Sequence, residues 1–107
     1  MPSSFRQEKI IELIRQLAST FLEEESNGTS LVTVTNVTIS PDFKEATVFF
    51  TVYPETKENA VLDFTKRKRS DFKHFVMQKS KLPRIPFFDF AIDQGEKNRQ
   101  KLDNLTV

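Results

Sequence analysis

Two runs rich in β-branched and aromatic residues, Leu31 to Ile39 (LVTVTNVTI) and Ala46 to Tyr53 (ATVFFTVY), flank the short stretch around Ser40-Pro41-Asp42. Such runs fit a pleated, half-buried surface, and a gap this short holds only a turn. They read as a hairpin, with Pro54 stopping the second strand. Ala46, Val48, Phe50 and Val52 share its inner face. In the first strand Val32 and Val34 have one parity, Val37 and Ile39 the other. A bulge near Thr35 or Asn36 turns both pairs to the core. An isolated hairpin is marginal in water, so the rest of the chain must cover it.

The covering segments are helical. Ile10, Ile11, Ile14, Leu17, Ala18, Phe21 and Leu22 recur at helical spacing and form one stripe. Ser4 and Gln7 have the spacing of a capping box, and Asn27-Gly28 ends the helix. Residues 57–79 read as two helical pieces. Val61, Leu62 and Phe64 anchor the first; Phe72, Phe75 and Val76 anchor the second. The intervening Thr65-Lys66-Arg67-Lys68-Arg69-Ser70-Asp71 carries no apolar residue, which points to a kink or short break, with Ser70 or Asp71 capping the second piece. Pro83 and Pro86 forbid further helix. Phe87 to Ile92 (FFDFAI) is a third strand, with Phe88, Phe90 and Ile92 on one face. From about Asp93 the chain is polar, a weak helix or a mobile end. The expected architecture is α+β: a three-stranded sheet with helices packed on one face, in a single domain spanning 1–107.

Charge is unevenly placed. The whole chain carries only +1. Yet Lys57 to Arg84 holds nine cations (Lys57, Lys66, Arg67, Lys68, Arg69, Lys73, Lys79, Lys81, Arg84) against three acids (Glu58, Asp63, Asp71), a net of about +6. One side of the molecule should be positive, and a helix break lets phosphate approach backbone there. Lys66, Arg67, Lys68, Arg69, Ser70, Lys73, Lys79, Lys81 and Arg84 are therefore the candidate RNA-binding residues. The plainer reading is a solvated helix surface. The eleven Phe residues sit mostly at core periodicity, with Phe43 and Phe87 the best candidates for exposure. The second strand lacks the Gly and Lys of an aromatic RNA-recognition sheet.

Other chemistry finds little support. The absence of Cys removes disulfides, thiolate metal sites and a catalytic thiol. His74 is the sole histidine, and Asp89 and Asp93 suit solvation or turn capping. The only glycines are Gly28 and Gly95, so a Gly-rich phosphate loop is missing. No catalytic constellation, cofactor, small-molecule substrate or metal is expected. The start has no signal-like apolar stretch and no run is long enough for a membrane span, so a cytoplasmic location is the expectation; with no clear homodimer seam, a monomer is the default.

Read in order, Val32-Thr33-Val34-Thr35-Asn36-Val37-Thr38-Ile39-Ser40-Pro41-Asp42, Ala46-Thr47-Val48-Phe49-Phe50-Thr51-Val52 and Lys81-Leu82-Pro83-Arg84-Ile85-Pro86-Phe87-Phe88-Asp89-Phe90-Ala91-Ile92-Asp93 are similar to the strands and proline segment of the ribosome-binding factor A family. With the first helix, the resemblance runs from about Phe5 to Leu105. It implies a type II KH-like fold, αββααβ, matching the order read from the residues. It also implies an rRNA-binding factor of ribosome biogenesis, acting on the free small (30S) ribosomal subunit and assisting processing of the 16S rRNA precursor. The family carries an Ala-x-Gly kink between its paired helices. The matching place here, Lys68-Arg69-Ser70, has neither residue and is more basic. The alternatives are a general KH-like RNA-binding module and a protein–protein interaction domain.

Overall fold

The computed structural model describes residues 2–25 and 28–105. In chain order these form α1 (Pro2–Glu25), β1 (Leu31–Ile39), β2 (Glu45–Tyr53), a 3-10 turn (Glu55–Lys57), α2 (Glu58–Arg67), α3 (Arg69–Lys79), β3 (Phe87–Ile92) and α4 (Gln94–Leu105). The expected αββααβ order is present, with α4 added beyond it.

Helix α1 begins earlier than the sequence suggests. Its first residue is Pro2, and Pro is favoured at the first position of a helix. The expected capping box turns on the Ser4 side chain, which lies outside the described residues. Gln7 points its amide toward the Ile39 carbonyl, 3.5 Å away. The helix ends at Glu25, and beyond it Gly28 takes a positive φ of 80°.

The sheet has the order β1-β2-β3, with β1 and β2 antiparallel and β2 and β3 parallel. The register of β1 slips between Val34 and Asn36. That bulge turns Val34 and Val37, of opposite parity, into the core together. Asp42 organises the hairpin turn: its Oδ1 accepts the Ser40 hydroxyl at 2.7 Å and the Lys44 N–H at 3.1 Å. On β2 and β3, Ala46, Val48, Phe50, Val52, Phe88 and Phe90 are buried, as their alternation requires.

Against this face lie Ile14, Ala18, Phe21 and Leu22 of α1 and Phe72 and Val76 of α3. Phe72 is the hub. Its ring centroid lies 5.2 Å from Phe21, 4.7 Å from Phe88 and 5.5 Å from Phe90, all tilted or edge-on. It thereby joins α1, α3 and β3.

The polar tail is a regular helix. Asp93 starts α4 by accepting the Glu96 N–H at 3.0 Å, and its other oxygen takes the Thr35 hydroxyl. Lys97 ties α4 back to the chain before and within α2, 2.8 Å from Glu55 and 3.0 Å from Glu58. Leu102, a large apolar residue of α4, is exposed.

Candidate nucleic-acid interface

The break between α2 and α3 falls at Lys68, with φ −97° and ψ 9°. Its N–H is shared between the carbonyls of Phe64 (3.2 Å) and Thr65 (3.1 Å), and its own carbonyl accepts the Phe72 N–H at 2.9 Å. The backbone is thus satisfied on both sides without a glycine. Lys68 itself stands at the N-cap of α3 and makes no side-chain cap, so neither Ser70 nor Asp71 plays that part. The stretch also has a core anchor that its polarity hid. Thr65 is fully buried, its hydroxyl donating to the Leu62 carbonyl at 2.8 Å.

From this junction the cations fan in two directions. Lys66 and Arg69 turn toward the edge strand β3. Lys66 Nζ lies 2.6 Å and Arg69 Nη1 3.4 Å from one oxygen, Asp89 Oδ1, which also accepts the Phe90 N–H at 2.9 Å. Arg69 is steadied further by donating Nε to the Lys66 carbonyl at 3.0 Å. One turn along α3, Lys73 holds its ammonium 4.5 Å from the centre of the Phe87 ring. Lys68 lies 3.5 Å from Asp71 of α3 and, toward α1, 3.9 Å from Glu25. Arg67 lines a groove of about 270 Å³ there with Leu22, Glu25 and Phe64. Ser70, in the first turn of α3, is exposed.

The remaining candidates lie apart. Ten residues of helical rise put Lys79 about 15 Å along the axis from Arg69, its ammonium 5.8 Å from the Phe75 ring. Lys81 is exposed on the following loop. Arg84 lines a separate groove of about 650 Å³ with Arg6, Asp42, Phe43 and Leu82. Lys66, Arg67, Lys68, Arg69, Ser70 and Lys73 therefore form one locus, and Lys79, Lys81 and Arg84 border it at a distance.

Asp89 is the residue that sequence reasoning misplaced. It neither caps a turn nor simply faces water, but bridges β3 to both helices of the junction. Partial burial pushes its carboxyl up, yet the Lys66 hydrogen bond, the Phe90 N–H and the charges of Lys66 and Arg69 outweigh this and hold it below its ordinary value. Asp93 does cap, as expected. The Thr35 hydroxyl and the Glu96 N–H lower its pKa against a smaller opposing effect of burial. Phe87 is 71% exposed, as its outward parity suggested, whereas Phe43 is only half-buried.

Chemically, the locus can do one thing well. It presents several cations with an aromatic ring beside them, on a frame whose backbone groups are already bonded. Among the described residues, no group of three His, Asp or Glu side chains is arranged to hold a metal, and no helix is long and apolar enough to cross a membrane.

The family model for ribosome-binding factor A matches residues 6–106. A ribosome-binding factor A of Coxiella burnetii is 27% identical over 104 residues, covering 95% of this chain and 87% of its own. That of Flavobacterium johnsoniae is 30% identical over 105 residues, covering 92% and 81%. Among solved structures, ribosome-binding factor A from Thermus thermophilus superimposes with a TM-score of 0.72 at 16% identity, covering 80% of this chain and 93% of that one. A Thermotoga maritima protein, a solution structure described as a putative ribosome binding factor A, gives 0.70 at 22% identity, covering 86% and 91%. These two likenesses speak to the fold, and the α+β sheet with its helices agrees with both. With the sequence match running almost from end to end, the chain belongs to the ribosome-binding factor A family.

Proposed function

We propose that this protein is a non-enzymatic, cytoplasmic ribosome-binding factor. It grips RNA of the small subunit at the α2–α3 junction and works, as a monomer, on the free 30S particle during processing of the 16S rRNA precursor. The observation that carries the reading is the cluster of Lys66, Arg67, Lys68, Arg69 and Lys73 around a helix break beside the edge strand β3. The ribosomal part of the reading draws on the names borne by its relatives.

The carboxylates near these cations reduce the positive field but do not cancel it. Five cations face three acids that reach them: Asp89, Asp71 and Glu25. Solvent-exposed pairs of this kind contribute about 0–1 kcal/mol each. A phosphate, which offers charge-assisted hydrogen bonds without the cost of a fixed side chain, can compete for the same donors.

The test is co-sedimentation of the full chain with ribosomal particles. The protein should travel with free 30S subunits rather than 70S ribosomes, and replacing Lys66, Arg67, Lys68 and Arg69 together with Ala should abolish this while the thermal midpoint changes little. A quadruple variant that binds like the parent would remove the junction as the binding surface. Lys79, Lys81 and Arg84 are outer phosphate contacts in this reading, each expected to weaken binding modestly and to flatten its salt dependence.

A further inference from the structure

Building on the junction as an RNA site, we propose that the outward face of β3 holds a seat for one unpaired nucleotide. Its base stacks on Phe87, and its phosphate displaces Asp89 from Lys66 and Arg69.

Four observations lead there. Phe87 and Asp89 are two residues apart on one strand, hence on the same face and roughly 6.6 Å apart along it. Phe87 is 71% exposed, whereas its strand neighbours Phe88 and Phe90 are buried. Its neighbours are charged: Lys73 lies over the ring at 4.5 Å, and Lys66 and Arg69 meet at Asp89. Finally, those two cations already converge on a single anionic oxygen, Asp89 Oδ1. An arrangement that holds one carboxylate oxygen between an ammonium and a guanidinium suits a phosphate oxygen equally well.

The surroundings favour nucleic acid over a protein partner. Protein interfaces concentrate energy in apolar centres depleted of charge, whereas Phe87 has Lys73 over its ring and the Lys66–Arg69–Asp89 cluster beside it. Unpaired RNA bases stack on such rings, and duplex bases cannot reach them. Asp89 then acts as a place-holder. It keeps Lys66 and Arg69 extended toward the strand when RNA is absent and must yield when phosphate arrives. Nonspecific anions lacking a base gain only half of the seat.

The test uses the full chain and fluorescein-labelled oligoribonucleotides of about 8 nucleotides, either unpaired or annealed to a complement, followed by anisotropy. Phe87→Leu keeps apolar bulk but removes the π face; Phe87→Tyr keeps the ring. Phe87→Leu should weaken unpaired RNA by roughly 5- to 150-fold, the usual span for one stacked base, and leave duplex binding within about 2-fold. Phe87→Tyr should bind like the parent. Asp89→Asn should tighten binding of unpaired RNA several-fold, because phosphate no longer competes with a carboxylate.

Equal affinity of Phe87→Leu and parent for unpaired RNA would overturn the seat. If the quadruple Lys66/Arg67/Lys68/Arg69 variant still lost binding in that case, the junction reading would survive alone; if it did not, both would fail. Unchanged or weaker binding by Asp89→Asn would overturn the displacement. Loss of 30S association by Phe87→Leu with intact binding to free unpaired RNA would assign the ring to a protein contact and also overturn the seat.

Discussion

Phe72→Ala should be the most damaging single truncation in this molecule. The side chain is fully buried and its ring meets three others, Phe21 of α1 and Phe88 and Phe90 of β3, at 4.7–5.5 Å. Transfer of a buried aromatic from water contributes about 1.5–3 kcal/mol. The cavity left by incomplete collapse raises the cost of Phe→Ala to about 3–5 kcal/mol. Tilted ring pairs add about 0.5–1.5 kcal/mol each beyond area, though not additively. The upper part of the range, about 4–5 kcal/mol, is therefore expected. Domains of this length are stable by about 5–15 kcal/mol in total. At about 4–5 °C per kcal/mol for a chain near 100 residues, the midpoint should fall by about 15–25 °C. Thermal melts by circular dichroism, with urea unfolding to check that the m-value is unchanged, would measure this. Phe72→Leu, which keeps most of the volume, should cost less than half as much. A loss of under about 5 °C for Phe72→Ala at constant m would mean that the ring does not join α1, α3 and β3 as described.

Phe90→Ala, also fully buried but with two ring partners, should cost about 3–5 kcal/mol by the same melts; a shift of a degree or so would contradict its burial. Gly28→Ala should lower the unfolding free energy measured in urea by about 1 kcal/mol, a conformational cost, since φ is +80° and nothing lies within 4 Å of an added Cβ. Lys97→Met should speed amide exchange in α4 while leaving the sheet protected, because Lys97 ties that helix to Glu55 and Glu58; uniform protection would refute the tie. Asp89 and Asp93 are both held below their ordinary pKa. Their contribution is complete above about pH 4, the unfolded-chain value, and disappears as pH falls through the lower native values. Melting temperature should therefore drop below about pH 4, and a rise on acidification would contradict both pairings.

The parts of this fold that were legible in the sequence are those encoded by local period. Alternation along Ala46–Val52 and Phe88–Ile92 identified the buried faces, and the parity change between Val34 and Val37 required a bulge. What was hidden depends on contacts between distant residues. Asp89 lies 23 residues from Lys66 and 20 from Arg69, and the packing of α2 and α3 against β3 brings them together. Thr65 looked polar because its hydroxyl is invisible to periodicity, yet it satisfies that group within its own helix and can be buried. The polar tail gave no apolar stripe, since α4 is held by the Asp93 cap and by Lys97. The cationic cluster itself was evident in composition, but its division into one side facing β3 and another facing α1 was not.

That division bears on why the kink here functions without the Ala-x-Gly that the family resemblance implied. A glycine at a helix break is needed where φ must be positive. Lys68 has φ −97°, which any L-residue adopts, and both of its backbone groups are bonded. Thr65 before the break and Phe72 after it are both fully buried, so the two axes are fixed by packing rather than by a permissive residue. Ser70 is already helical, in the first turn of α3. Introducing the family pattern by Lys68→Ala with Ser70→Gly should therefore not stabilise the junction. The glycine should cost about 0.5 kcal/mol in helix propensity, and loss of the Lys68 ammonium should lower RNA affinity and reduce the salt slope by about one charge. Urea unfolding and a salt titration of RNA binding on the same double variant separate the two effects. A clear gain in stability would mean that the break is strained as it stands, and that the basic residues there are kept at the expense of a better hinge.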